Sequence, residues 1–276
     1  MASDDDLLAR ELAGEAGRRL LGLRAQGGRA VDPASLRKAG DRLAQEFLAA
    51  ELARRRPADA VLSEEAADSV ARLSADRVWI VDPLDGTREF GEPGRSDWAV
   101  HVALWERGEL TAGAVALPAQ DSILSTADQP GSQPGSPSVP RSTVAPGPAP
   151  GPGPAPEARA PLRLVVSRTR PPAFVRHLAD LTGADLLPLG SAGAKIAAVL
   201  RGEADAYVHA GGQYEWDSAA PVAVARAAGF HASRIDGTGL AYNQADPLLP
   251  DILVCPSVHA AMLLDAIRAA RSAASN

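Results

Sequence analysis

The stretch Val78-Trp79-Ile80-Val81, followed at once by Asp82-Pro83-Leu84-Asp85-Gly86-Thr87, constrains this chain more than any other. Consecutive β-branched and aromatic residues describe a buried strand, and the strand ends in two carboxylates three residues apart. Pro83 fixes its own φ, and Gly86 lets the backbone approach a ligand closely. Hard oxygen donors at a strand's carboxyl end suit Mg²⁺ and a phosphate better than an apolar ligand. A plain polar turn is the alternative reading, so the rest of the chain has to decide between them.

The flanking pattern describes a mixed chain. Ser3 with Asp6 resembles a capping box, and Leu8, Leu12, Ala16, Leu20 and Leu23 follow at helical spacing. After a break at Gln26–Pro33, a second helical pattern places Leu43, Phe47, Leu48 and Leu52 on one face and stops at Arg54-Arg55-Arg56-Pro57. A short strand at Ala60–Leu62 runs into Ser63-Glu64-Glu65. Trp98–Trp105 and Leu110–Leu117 read as a hairpin about Glu106–Glu109, with a further strand at Ile123–Thr126. Between Asp128 and Glu157, 15 of 30 residues are Pro or Gly and Val is the only large apolar type, the composition of a disordered loop. Strand and helix signals then alternate. Strands fall at Leu162–Val166, Leu186–Leu189, Ala206–His209, Phe230–Ala232 and Ile252–Cys255, and helices at Pro171–Leu181, Ala194–Leu200, Asp217–Ala228 and Val258–Ala270. The expected organisation is an α+β unit over residues 1–126, the loop over 127–160, and an α/β unit over 161–276.

Bulk properties exclude several classes. A chain of 276 residues, 46% hydrophobic, can bury a large core, and a net charge of −6 argues against nucleic-acid binding through a basic surface. The single cysteine, Cys255, ends an apolar run and should be buried. It excludes a disulfide framework and fits a reducing cytoplasm. Asp4-Asp5-Asp6 has the wrong charge for a signal-peptide n-region, and no apolar run approaches the ~20 residues of a membrane span.

Four acidic features sit at strand ends or helix starts: Glu64-Glu65, Asp82 with Asp85, Asp217 after Gly211–Trp216, and Asp41 beside Gly40. Each alone reads as a cap or a solvated charge. Together they are what metal-assisted phosphoryl chemistry requires. Phosphatases that form an aspartyl-phosphate carry D-x-D-G-T with the carboxylates two apart. The three-residue spacing here disfavours an Asp nucleophile and favours attack by water.

With these residues in view, the chain resembles the lithium-sensitive, Mg²⁺-dependent inositol monophosphatase superfamily. The likeness rests on Ser63-Glu64-Glu65, then Trp79 to Thr87, then Trp216-Asp217-Ser218-Ala219-Ala220-Pro221, in that order. Gly190-Ser191-Ala192-Gly193-Ala194-Lys195 looks most like the CysQ-type 3′(2′),5′-bisphosphate nucleotidases within it. The resemblance implies a layered α-β-α-β-α sugar-phosphatase fold, with a mixed antiparallel sheet in the first half and α/β in the second. It implies a phosphoric monoester hydrolase acting on adenosine 3′,5′-bisphosphate (PAP), and on its sulfated relative PAPS, in sulfate assimilation. Inositol phosphate or fructose 1,6-bisphosphate are the alternative substrates, and a catalytically silent nucleotide- or metal-binding regulator the alternative class.

Carried over by motif, Glu64, Asp82 and the Leu84 carbonyl would hold one Mg²⁺, and Asp82, Asp85 and Asp217 another, with two or three ions per site and inhibition by Li⁺. Gly86 and Thr87 N–H groups would seat the phosphate. Thr87 and Asp41 would orient and deprotonate water, although the neighbourhood of Asp41 lacks the Thr the family often carries there. Glu64, Leu84, Asp85 and Asp217 would also border the substrate. Ser191 and Lys195 would contact its other phosphate or ribose, with a surface lysine as the alternative for Lys195. Tyr214, Trp216, Arg168 and Arg170 are the residue types present for an adenine. The resemblance further implies a homodimer, or a monomer as in some nucleotidase-type members.

Overall fold

The computed structural model of the protein describes residues 2–27, 32–128 and 161–274. The Pro/Gly-rich stretch beyond Asp128 and part of the break before Pro33 lie outside them. Helices α1 (Asp4–Gly27) and α2 (Pro33–Arg55) open the fold. The Ser3–Asp6 capping box forms reciprocally, with Asp6 N–H donating to Ser3 Oγ (3.1 Å) and Ser3 N–H to Asp6 Oδ2 (2.7 Å). Asp32 caps α2 by accepting from Ser35 N–H.

The first sheet runs in order β1 (Ala60–Ser63), β2 (Arg77–Asp85), β3 (Ala99–Glu106), β4 (Glu109–Leu117), β5 (Ser122–Ser125). β1 and β2 are parallel and every other pair is antiparallel. The β3–β4 connection is tighter than the sequence suggests. Only Arg107 (φ 49°) and Gly108 (φ 102°) lie between the strands, and both are left-handed, as a two-residue hairpin of this hand demands.

A short helix α3 (Thr87–Gly91) leaves β2. The second half supplies β6 (Arg163–Ser167), α4 (Val175–Thr182), β7 (Asp185–Leu189), α5 (Ala192–Leu200), β8 (Ala206–Tyr214), α6 (Glu215–Ala227), β9 (Phe230–Ser233), β10 (Leu248–Pro256) and α7 (Ala260–Ala274). Its sheet is ordered β7-β6-β8-β10-β9, parallel across the first three strands and antiparallel across the rest. The helix expected from Pro171 starts at Val175, beyond both prolines.

Three buried clusters define five layers, α-β-α-β-α. Trp79, Val81, Trp98, Val100, Val102 and Leu104 pack outward against Leu8, Leu12, Leu20, Leu48 and Leu52 of α1 and α2. Val78, Ile80, Ala99 and Ala103 point the other way, toward Ile196, Val199, Ala219 and Val222 of α5 and α6, and onward to Tyr207, Ile252 and Val254 of the second sheet. Leu164, Val166, Val208 and Leu253 cover the far side with Phe174, Leu178, Leu263 and Ile267. β2 is therefore covered on both faces, which is why its apolar run does not alternate with polar residues. Where α6 crosses β4 there is no room for a side chain: a Cβ on Gly113 would meet Ala223 Cβ at 2.6 Å. Among the described residues no helix is long and apolar enough to cross a membrane.

Candidate active site

β2 delivers the first two carboxylates. Antiparallel pairing with β3 continues to Asp82↔His101, is interrupted by Pro83, and resumes at Asp85↔Ala99. On either side of the interruption Asp82 and Asp85 each bring a carboxylate oxygen to within 4.8 Å of the other's. Asp82, almost wholly buried, accepts from Leu84 N–H at 3.0 Å. Gly86 is left-handed (φ 84°) and caps α3. A Cβ there would lie 3.0 Å from Ser191 Cβ and 3.2 Å from the Asp97 carbonyl, so glycine is required both for conformation and for space. The N–H groups of the first turn of α3 open at this point, the arrangement anions favour.

Thr87 Oγ1 lies 3.0 Å from the Leu84 carbonyl and 3.3 Å from Asp41 Oδ1. A hydroxyl has one proton, so it satisfies one acceptor at a time and leaves the other to a second donor. Asp41, in mid-α2, also borders a cleft of about 290 Å³ with Lys38, Arg42, Gln45, Glu46 and Glu65. Burial, followed by the charge of Glu65, raises the Asp41 carboxyl to about 6.

Asp217 comes from the far half of the chain. It is the third residue of α6, and its Oδ2 accepts from Tyr214 N–H at 2.6 Å, so the capping role and the place in the acidic cluster coincide in one side chain. Burial and then the Asp85 charge lift it to about 7. Glu64 reaches solvent at the rim, yet the protein packed around it and the charges of Asp217 and Asp85 lift it to about 7 as well. Asp82 is pushed well above the carboxylate range by burial, then by Glu64, Asp85 and Asp217. Three segments distant in sequence thus act on one another electrostatically at a single place.

Ser191 caps α5, its Oγ accepting from Ala194 N–H at 2.9 Å. Lys195 is not a surface lysine. It is 3% exposed, its Nζ donates to the Gly190 carbonyl, and it lies 5.3 Å from the Tyr207 ring centroid. Burial lowers its pKa, with Asp85 and Asp217 pulling in the opposite sense. Arg168 is committed to Glu89 (2.6 Å) and Glu92 (2.9 Å). Arg170 lies beside Gly212 at the edge of the site. Tyr214 and Trp216 stack at 4.8 Å with a 9° interplanar angle, Tyr214 being exposed.

One residue was missed by sequence reasoning. His101 of β3 is fully buried, and with Asp82 and Asp85 it brings one potential ligand atom each to within 4.8 Å of one another. Its signal was a lone imidazole in the apolar run Ala99-Val100-His101-Val102-Ala103. The strand's alternation turns it to the same side as Ala99 and Ala103, toward α5 and α6.

Residues 8–272 match the profile of the inositol monophosphatase family. A Mycobacterium bovis protein named 3′-phosphoadenosine 5′-phosphate phosphatase is 50% identical over 258 residues, 92% of this chain and 89% of that one. The 3′(2′),5′-bisphosphate nucleotidase CysQ of Escherichia coli K12 is 31% identical over 191 residues, 68% of this chain and 72% of that one. The crystal structure of CysQ from Bacteroides thetaiotaomicron superposes with a TM-score of 0.70 at 27% identity, covering 91% of this chain and 97% of the other.

Proposed function

The chain belongs to the inositol monophosphatase family, and on that footing we propose that it is a Mg²⁺-dependent phosphatase removing the 3′-phosphate of PAP, and of PAPS, to leave the 5′-nucleotide. The observation that carries the site is the convergence of carboxylates at the end of β2: beyond burial, Asp217 and Asp85 raise Glu64, Asp85 raises Asp217, and Glu64, Asp85 and Asp217 all raise Asp82. Such a cluster of oxygen donors fits hard divalent cations. Lys195 and Arg170 act on Asp217 in the opposite sense, and its shift is still upward. The identity to proteins named for PAP supports the substrate.

In this reading Glu64, Asp82 and the Leu84 carbonyl would hold one Mg²⁺, and Asp82, Asp85 and Asp217 a second. Bound there, the ions would supply Lewis acidity toward the phosphoryl oxygens. The N–H groups of Gly86 and Thr87 receive the scissile phosphate. Asp41, with a pKa near the working range, takes the proton of the attacking water, and the Thr87 hydroxyl orients that water beside it. Residues 1–126 thus carry the reaction centre, and residues 161–276 close it with Asp217. The second half also supplies the substrate wall, where Ser191, Lys195, Arg170 and the Tyr214–Trp216 pair face the nucleoside and its other phosphate.

Comparing kcat/KM on PAP, inositol 1-phosphate and fructose 1,6-bisphosphate with Mg²⁺ tests the substrate. PAP should lead by at least about tenfold, a difference of roughly 1.4 kcal/mol in transition-state binding. Equal or better turnover of inositol 1-phosphate would refute the nucleotidase reading.

A further inference from the structure

We infer that His101 is a positioning residue, which sets the Asp85 carboxylate for metal binding and ties it to the start of the helix bearing Asp217. The inference rests on the reading of Asp85 and Asp217 as cation ligands. His101 Nδ1 lies 3.1 Å from the Trp216 carbonyl, the residue immediately before Asp217. A carbonyl can only accept, so Nδ1 carries the proton and this bond fixes the plane of the ring. The opposite edge, Nε2, lies 3.3 Å from Asp85 Oδ2. Nε2 is buried and has no hydrogen-bond partner.

Asp85 Oδ2 also accepts from Gly193 N–H at 2.8 Å. That oxygen is therefore held by the Gly193 N–H of the first turn of α5, and the imidazole edge, whose Nε2 has no proton to donate, confines it by contact alone. Oδ1 has no hydrogen-bond donor among the described residues and is the oxygen left for a cation. Gly193 makes the arrangement sterically feasible. A Cβ built on it would fall 2.2 Å from His101 Nε2, so the ring occupies the volume a side chain would take. His101 and Gly193 are thus one device. The ring bridges β3 to α6, and the glycine admits the ring to the carboxylate.

A double-mutant cycle on the full-length protein tests this, with Mn²⁺ binding followed by electron paramagnetic resonance and Mg²⁺ binding by calorimetry. Tm in EDTA monitors the metal-free fold. His101→Ala should weaken Mn²⁺ and Mg²⁺ binding about tenfold, the scale of lost support behind a metal ligand. PAP turnover should recover at saturating Mg²⁺. Gly193→Ala should weaken binding to a similar degree, because its methyl drives the ring against Asp85. In the double variant the 2.2 Å clash is gone and only 3.1 Å approaches to Ala99 Cβ and Val115 Cγ1 remain, so the second substitution should add less than about twofold to the first.

If the wild-type protein itself binds neither ion, the reading of the site fails and not merely the role of His101. If wild-type binding is normal and His101→Ala leaves both affinities within about twofold, the positioning role is overturned. Losses that multiply independently in the double variant overturn it too. So does a nitrogen coupling to bound Mn²⁺ that disappears in His101→Ala, since that would make the histidine a direct ligand.

Discussion

Replacing Asp217 by Asn should make the metal-free protein more stable while destroying its activity. Asp217 carries a buried carboxyl raised from 3.8 to about 7, first by burial and then by the Asp85 charge. A folded pKa above the unfolded one means that ionisation opposes folding. The penalty is absent below about pH 4, grows as pH rises through the native pKa, and is complete above it. Three units correspond to about 4 kcal/mol at most. Sharing of the repulsion with Glu64 and Asp85 brings a realistic gain to about 2–3 kcal/mol, or roughly 5–10 °C in Tm for a chain of this size. Asn keeps the helix-start contact, since its carbonyl oxygen can accept from Tyr214 N–H as the carboxylate does. Melting curves in EDTA at pH 8 and pH 5 provide the assay. The variant should melt higher at pH 8, and the gain should shrink by more than half at pH 5. Adding Mg²⁺ should raise the wild-type Tm more than that of the variant. An unchanged or lower Tm in EDTA at pH 8 would refute the claim that the cluster is electrostatically overloaded without metal.

Other consequences can be checked separately. With Asp41 raised to about 6 by burial and Glu65, a base that must be ionised should give kcat/KM an acid limb falling below about pH 6; Asp41→Asn should cost at least about a hundredfold, and a profile flat to pH 5 would remove Asp41 from that role. Arg77 pairs with Asp5 (2.9 Å), Asp59 (3.0 Å) and Glu106 (3.4 Å), joining α1 to β2. Arg77→Ala leaves the buried Asp59 carboxylate with the Trp79 indole N–H as its remaining donor and should lower stability by about 2 kcal/mol in denaturant titration, with catalysis at 25 °C little changed. Li⁺ at millimolar concentration should inhibit turnover and be relieved by excess Mg²⁺; unaltered rates would count against the two-cation site.

What could be read in advance followed from local rules. β2 announced itself because a doubly covered strand has no polar alternation, and its carboxyl-terminal carboxylates lie where such strands place them. Asp217 was visible as an acid at a helix start. That its capping bond and its membership of the acidic cluster are compatible became apparent only once α6 was seen crossing the first sheet. Lys195 could not be assigned because burial on α5 depends on both sheets closing over that helix, which no helical periodicity reports. His101 was hidden for a similar reason. Its chemistry depends on Gly193, 92 positions downstream, and on the Trp216 carbonyl. The helix at Val175 began late because two consecutive prolines set the chain extended before it.

The proposed reaction is attack of water at the 3′-phosphorus under Mg²⁺. Hydrolysis of PAP in ¹⁸O-water followed by ³¹P NMR measures this directly. The expected products are 5′-AMP without label and inorganic phosphate carrying one ¹⁸O, formed with Mg²⁺ and lost in EDTA or in Asp85→Asn. Release of adenosine 3′-phosphate, label in the nucleotide, or unchanged turnover in Asp85→Asn would contradict it.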